Sequence, residues 1–171
     1  MAGAAYTTTF PILKSPRGVL GTFPIKSGEI INQGDLVALD SNFQVVVASK
    51  TTGGIVEAQG VAYFDDDNGS ANAARTGVAG LTVKTGICKQ ARIGNLNSTL
   101  VPSMAGGGTK KVFLGPTPTA TVSNYTCTQS TTPGDKIQIV GQVVSSTEIE
   151  VDINYSGFTY QTAATSTATL G

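Results

Sequence analysis

The sequence predicts an all-β protein: a compact β-sandwich or barrel-like domain, built from two related β-hairpin units and preceded by an extended N-terminal arm. Two observations predict this fold class. Apolar residues alternate with polar residues along short segments, and no stretch keeps the spacing of apolar residues that a long helix needs. With 171 residues, of which 40% are apolar, the chain can bury a core of ordinary size without disulfides or metals.

Residues 133–155, PGDKIQIVGQVVSSTEIEVDINY, are the most regular part of the sequence and predict a hairpin. Residues 133–135 have the composition of a turn that starts a strand, and residues 145–147 form the connection to a second strand. Gly141 interrupts the first strand, which indicates a bulge or a close backbone approach. The alternation predicts that Ile137, Ile139, Ile149, Val151 and Ile153 are buried and that Glu148, Glu150 and Asp152 are exposed on one face.

A similar order of segments occurs twice and predicts a weak internal repeat. In each unit a short apolar strand is followed by a turn, a returning strand, a polar or Gly-rich connection and a Gly-containing strand. The alternative is that any two hairpins look this similar. The first unit comprises residues 36–39, 45–47 and 60–62, and the second comprises residues 111–114, 120–122 and 141–143.

The two ends of the chain differ from the middle. Residues 1–27 contain three prolines and scattered apolar side chains, which predicts an extended arm that fixes the protein to a partner. The alternative is that this segment completes the domain's own sheet. Residues 28–157 form the predicted β-domain, and residues 158–171 are small and polar enough for a flexible tail. The candidate contact residues for a partner or a neighbouring subunit are Tyr6, Phe10, Ile12, Leu13, Arg17 and Phe23.

The sequence contains no residue pattern that predicts catalysis. It has no His, which removes Ser-His-Asp and Cys-His mechanisms and His-ligated zinc. Cys88 and Cys127 are far apart in sequence, so we expect free buried thiols, with a disulfide between them as the alternative. Residues 65–67 are three consecutive aspartates, which favour a solvated loop over a calcium site because the alternating ligand spacing is absent. We therefore predict that the protein is not an enzyme and needs no metal or other cofactor.

Charge and hydropathy also limit the partners. The formal net charge is zero and only 13% of residues are charged, which argues against binding nucleic acid. No apolar run is long enough to span a membrane, and the N-terminus lacks the pattern of a signal peptide, so we expect synthesis in the cytoplasm without export. The low charge suggests that a partner covers part of the surface, while a merely Thr-rich soluble surface is the alternative.

Two stretches resemble the capsid decoration (cement) and head-fibre proteins of tailed bacteriophages. Residues 112–153, VFLGPTPTATVSNYTCTQSTTPGDKIQIVGQVVSSTEIEVDI, resemble their C-terminal part, in which a V-x-L strand, a Thr-rich turn, a P-x-x-GD-x-V-Q-V-V-G motif and a T-x-I strand follow one another. Residues 34–48, GDLVALDSNFQVVVA, resemble their N-terminal part. The sequence departs from this pattern at its end, where the last strand continues as VDINYSG before a tail of small residues.

This resemblance implies a structural virion protein on the exterior of a capsid. Its expected partner is the major capsid protein, whose shell it would reinforce, and it would form a homo-oligomer, with a trimer favoured. The alternative is a fibre-type or surface β-module that binds carbohydrate or a host receptor. That alternative is less favoured because the chain has no Trp and few other aromatic residues to stack on sugars.

Overall fold

Short apolar segments bounded by turn residues form strands throughout the described chain. The structure is a computed structural model that describes residues 3–6, 11–51, 54, 56–64, 74–80, 82–96 and 111–153, and the backbone of residues 161–162. Within these ranges all regular secondary structure is β-strand, so the all-β prediction is confirmed. The strands are β1 (Ile12–Pro24), β2 (Ile30–Ile31), β3 (Leu36–Leu39), β4 (Val45–Val47), β5 (Gly60–Tyr63), β6 (Arg75–Thr76), β7 (Lys84–Gly94), β8 (Lys111–Leu114), β9 (Tyr125–Thr126), β10 (Lys136–Ile137), β11 (Ile139–Val143), β12 (Ile149–Asp152) and β13 (Gln161–Thr162).

Strand β7 organises the main sheet, which has nine antiparallel strands among the described residues and curls strongly into a half-barrel. One edge of β7 pairs with β1 from Lys84 to Gly94. The other edge pairs with β5 at residues 86–88 and with β12 at residues 90–93. Two arms of the sheet therefore leave β7 from the same edge: a first arm, β5-β3-β4, and a second arm, β12-β11-β8-β9. The remaining strands form the pairs β2–β6 and β10–β13, and β13 lies within the segment predicted as a tail.

The segment predicted as an extended N-terminal arm includes β1, which pairs along β7, so this part of the segment follows the stated alternative and completes the domain's own sheet. No other strand of the described chain pairs with β1. Its pairing with β7 shifts register twice, between Lys14 and Arg17 and between Val19 and Gly21, and positive φ angles occur at both places, at Ser15 (51°) and at Gly21 (140°). Bulges of this kind twist an edge strand, which discourages unplanned pairing with another sheet.

The two arms share a local order of strands. In the first arm β3 lies between β4 and β5, and in the second arm β8 lies between β9 and β11. A glycine marks the equivalent strand in each arm. A Cβ atom would lie 2.4 Å from the Ile87 side chain at Gly60 and 2.1 Å from the Glu150 carbonyl oxygen at Gly141. The prediction of a close approach at Gly141 is confirmed, and the β8–β11 register shifts beside it.

The hairpin of residues 133–155 buries most of its predicted apolar face. Ile137, Ile149, Val151 and Ile153 are buried as predicted. The prediction for Ile139 is wrong: it is only half-buried, at the register shift of β11, against a small cluster of Phe113 and Ile137. The main core fills the curl of the sheet and includes Leu36, Val61, Ile93, Leu96, Val112, Leu114, Tyr125, Val140, Ile149, Val151 and Ile153.

Two buried side-chain amides join the arms of the half-barrel. Asn124, next to β9, accepts a hydrogen bond from Leu36 N (3.1 Å) and donates to the carbonyl oxygens of Leu36 (2.7 Å) and Ala48 (3.0 Å). Gln138, between β10 and β11, accepts from Ala58 N (2.8 Å) and donates to Ala58 O (2.9 Å). Each amide thus takes the place of a neighbouring strand and satisfies backbone groups that are buried away from water.

An ion pair also joins the two arms of the half-barrel. Lys50, between β4 and β5 of the first arm, contacts the Asp135 carboxylate, and Ser130 Oγ donates to that carboxylate at 2.6 Å. The backbone of Lys50 also donates to Gly115 O (2.9 Å) and accepts from Lys136 N (2.9 Å). The Gly-Asp turn that the sequence predicts as the start of a strand therefore also connects the two arms.

Replacing Asn124 tests this closure. We expect Asn124→Asp to lower the free energy of unfolding by more than about 3 kcal/mol, because a buried carboxylate would face two carbonyl oxygens that have lost their donor. Asn124→Ala should cost roughly 2–4 kcal/mol through the unpaired backbone groups. Urea unfolding measures both values. Asn42→Asp, the same change at an exposed turn position, is the control, and equal midpoints for the two Asp variants would contradict the assignment.

Candidate functional site

The predicted contact residues on β1 divide into exposed and core-facing side chains. Ile12 is 46% exposed, and the Arg17 side chain is 53% exposed. Leu13 and Phe23 are half-buried and pack against the two larger apolar clusters of the core. Phe10 lies outside the described residues. Only one side of the predicted arm is thus available to a partner, since the other side attaches β1 to the domain.

Tyr6, the remaining predicted contact residue, is buried within the chain. Its hydroxyl donates to Asp35 Oδ1 at 2.6 Å, and its backbone N–H donates to Asn32 Oδ1 at 3.1 Å. Asn32 Nδ2 in turn donates to Ala4 O at 2.8 Å. These bonds fix residues 3–6 to the turn before β3, so Tyr6 holds the N-terminal segment to the domain.

Asp35 is the buried carboxylate at the centre of this cluster. Its second oxygen accepts bonds from Asn32 N (2.9 Å) and Asn32 Nδ2 (3.1 Å). Burial raises the pKa of Asp35 from its usual 3.8 to about 6, and the hydrogen bonds from Tyr6 and Asn32 oppose part of that rise. Burial likewise raises the pKa of Tyr6 and of Tyr125, whose hydroxyl donates to Gly34 O. Because Asp35 is fully buried, its role is to position the N-terminal segment.

The outward side of β1 forms the most distinctive exposed surface. Three of the six exposed large apolar side chains of the described chain lie on this strand: Ile12 (46%), Val19 (56%) and Leu20 (38%). Lys14 and Arg17 lie between them in sequence. These five residues are called the β1 surface below. Exposed apolar groups together with charged ones are typical of protein interfaces, where the apolar groups supply affinity and the charges affect association rate.

The carboxylate row predicted on β12 meets the cations of β1 across β7. Lys14, Arg92 and Glu150 lie in register on three adjacent strands. Arg92 Nε lies 2.9 Å from Glu150 Oε2, Arg17 contacts the same carboxylate, and Lys14 Nζ lies 3.2 Å from Glu148 Oε1. These side chains and Ser15 line an open cleft of about 410 Å³.

The prediction that Glu148, Glu150 and Asp152 are exposed is therefore wrong. The side chains of Glu148 and Glu150 are only 28% and 21% exposed because β1 brings cations over them. Asp152 is half-buried and accepts a bond from Gln90 Nε2 at 3.1 Å. Each ion pair at such exposure is worth about 0–1 kcal/mol. Three cations against two carboxylates leave the cleft with one excess positive charge.

Other chemistry in the described chain is limited. Cys88 and Cys127 are free and buried, as predicted, and burial raises the pKa of Cys88 to about 11, so its thiol stays protonated at neutral pH. Among the residues with described positions, no cluster of three or more metal-ligating side chains occurs, and no helix is long and apolar enough to cross a membrane. The aspartates at 65–67 lie outside the described residues.

Sequence reasoning missed two features, Asp35 and Phe43. The available signal for Asp35 was its position in the sequence, directly after Gly34 and directly before an apolar strand whose residues are expected to be buried. Phe43 is 69% exposed and has a φ angle of 57°, at the tip of the β3–β4 hairpin. Its signal was the order Asp-Ser-Asn-Phe, in which Phe stands where such a turn usually has Gly.

Comparison of the chain with protein-family models, with curated proteins and with solved structures gave no match. Function is therefore inferred from the chemistry of the surfaces described above and from the motifs of the sequence.

The raised pKa of Asp35 predicts a pH-dependent stability. Because the folded protein keeps the Asp35 proton up to about pH 6 and the unfolded chain releases it near 3.8, the folded state binds more protons between these values. The contribution of Asp35 to stability must then fall as pH rises through this window. The free energy of unfolding of Asp35→Asn, relative to that of wild type, should therefore rise by roughly 2–3 kcal/mol from pH 4 to pH 7. Urea unfolding of both proteins at each pH measures this difference. A difference between the two proteins that stays constant with pH would refute the assignment.

Proposed function

We propose that this protein is a structural virion protein that binds the outer surface of a phage capsid and reinforces it. The observation that carries the proposal is the β1 surface, which presents exposed apolar side chains on a strand held firmly to the domain. In this proposal the role is non-enzymatic, the partner is the major capsid protein, and the protein acts as a homo-oligomer.

The geometry of β1 favours a fixed contact over a flexible clasp. Leu13 and Phe23 anchor the strand in the core, and Tyr6 anchors the residues before it. Ile12, Val19 and Leu20 are thus presented without further ordering of the chain, which lowers the entropy lost on docking. Lys14 and Arg17 are already paired with Glu148 and Glu150, and Arg92, which also contacts Glu150, accounts for the one excess positive charge in the cleft.

The positions of the resembling motifs also support the proposal. Residues 34–48 supply β3 and β4 of the first arm, and residues 112–153 supply the second arm. We further propose that the two arms are related hairpin units that together form a barrel-like domain. The shared order of strands and the matching glycines, Gly60 and Gly141, support this relation.

Attachment to assembled shells tests the function. The protein is mixed with shells assembled from the major capsid protein of the same phage, and co-sedimentation measures the bound fraction. Wild type should bind at saturable stoichiometry and should raise the temperature at which the shells break. The double change Val19→Asp and Leu20→Asp should weaken binding by about tenfold or more, because buried interface charges lack partners.

Thr121→Asp is the control, since Thr121 is exposed in the connection between β8 and β9, the strands of the second arm that are furthest from β1 in the order of the sheet. It should bind shells like wild type. A wild-type protein that fails to bind shells would contradict the proposal, and its binding to host-surface glycans or a receptor would support the fibre-type alternative.

A further inference from the structure

The tip of the β3–β4 hairpin carries a strained and exposed aromatic side chain. Asp40 and Gln44 close the loop through Asp40 N to Gln44 O (2.9 Å), and Phe43 N donates to Asp40 O at 3.0 Å. This is a turn followed by a residue in the left-handed region, a position that favours Gly. Phe43 adopts it with φ of 57°. A bulky residue in this conformation is uncommon and strained.

The loop around Phe43 is held rigidly. Asp40 Oδ1 accepts bonds from Asn42 N (2.9 Å) and Gln44 N (3.0 Å), and Lys26 Nζ lies 3.4 Å from Asp40 Oδ2. Slight burial of Asp40 acts to raise its pKa, but the backbone bonds and Lys26 outweigh this effect and lower the pKa. The carboxylate therefore stays ionised and keeps its bonds near neutral pH.

No contact among the described residues accounts for Phe43. At 69% exposure it is the most exposed large apolar side chain of the described residues, so its ring adds little to the core. A residue that breaks a local rule without a gain in packing is expected at a functional contact. A rigid aromatic side chain is well suited to this role, because it buries a large area at a small entropic cost.

A cleft that could receive such a ring begins at the next residue, Gln44. Its volume is about 280 Å³, whereas a cavity of about 150 Å³ is enough to hold benzene. Val78 is 45% exposed at this cleft and offers an apolar wall to a ring. The lining residues are Pro24, Ile25, Ser27, Gln44, Val78, Ala79, Gly80 and Thr82.

We infer that Phe43 of one copy occupies this cleft in a second copy of the chain. At 69% exposure the ring is largely uncovered in a single copy, so a second copy can cover it. The formal net charge of zero means that copies do not repel one another. Because the side chain and the cleft are separate but adjacent surfaces, the contact can repeat from copy to copy and close into a small oligomer. The inference rests on the homo-oligomer of the proposed function and does not depend on capsid attachment.

Sedimentation equilibrium of the pure protein tests the contact and gives the copy number. Wild type should associate, and Phe43→Gly should weaken association by about 30-fold or more, the effect of losing an aromatic hot spot. Because Gly relieves the strained backbone, the same variant should unfold at an equal or higher urea concentration. Loss of association therefore cannot come from unfolding. Val78→Asp should also abolish association, while Val144→Asp, at an equally exposed valine outside the cleft, should not.

A wild-type protein that stays monomeric up to about 1 mM would overturn the inference, as would a Phe43→Gly variant that associates as tightly as wild type. A monomer that binds glycans through Phe43 would also overturn it and would assign the ring to sugar stacking. Shell binding is measured separately. Association without shell binding refutes only the proposed capsid role, and shell binding by a wild type that does not associate refutes only the Phe43 contact.

Discussion

The fold depends on how two buried amide side chains, Asn124 and Gln138, close the curled sheet. The two arms leave the same edge of β7, and no strand ladder joins their far ends within the described chain. Asn124 and Gln138 supply hydrogen bonds that a strand would otherwise make, across sequence separations of 88 and 80 residues. An amide serves this purpose because it both donates and accepts and carries no charge to desolvate. A carboxylate or an apolar residue of similar size would leave backbone groups unpaired.

Local features of the fold could be predicted from the sequence, and long-range pairing could not. The hairpin after residue 133, the close approach at Gly141 and the buried Ile149 and Val151 follow from alternation and turn chemistry, which act over a few residues. The pairing of β1 with β7 is not encoded in the pattern of either strand, so Glu148 and Glu150 were expected to face water. The same reason applies to the site. The sequence around Tyr6 suggested an exposed contact residue, but Tyr6 is buried because its hydroxyl donates a hydrogen bond to Asp35, which is distant in sequence. Phe43 was missed because a single exposed aromatic residue has no periodicity.

The exposed features of the molecule are held by ion pairs and hydrogen bonds on rigid elements. Glu150 fixes Arg17 on β1, and Asp40 fixes the loop that carries Phe43. In both places an apolar group is presented to solvent beside a carboxylate that is already paired with a cation. This arrangement keeps the unpaired charge near each contact small, which reduces the desolvation penalty when a partner covers it. The protein thus combines a low overall charge with local order at the surfaces proposed to bind.

The position of β7 in the chain has a consequence during synthesis. β7 ends at Gly94, but β12, which covers its edge at residues 90–93, begins only at Ile149. On the ribosome, β1, β3, β4, β5 and β7 are complete well before the second arm emerges. Until then part of one edge of β7 lacks its partner and offers a template for strands of neighbouring nascent chains. A pause in translation between residues 94 and 149 would prolong this exposure, so the yield of soluble protein should depend on codon usage in that interval more than elsewhere in the gene.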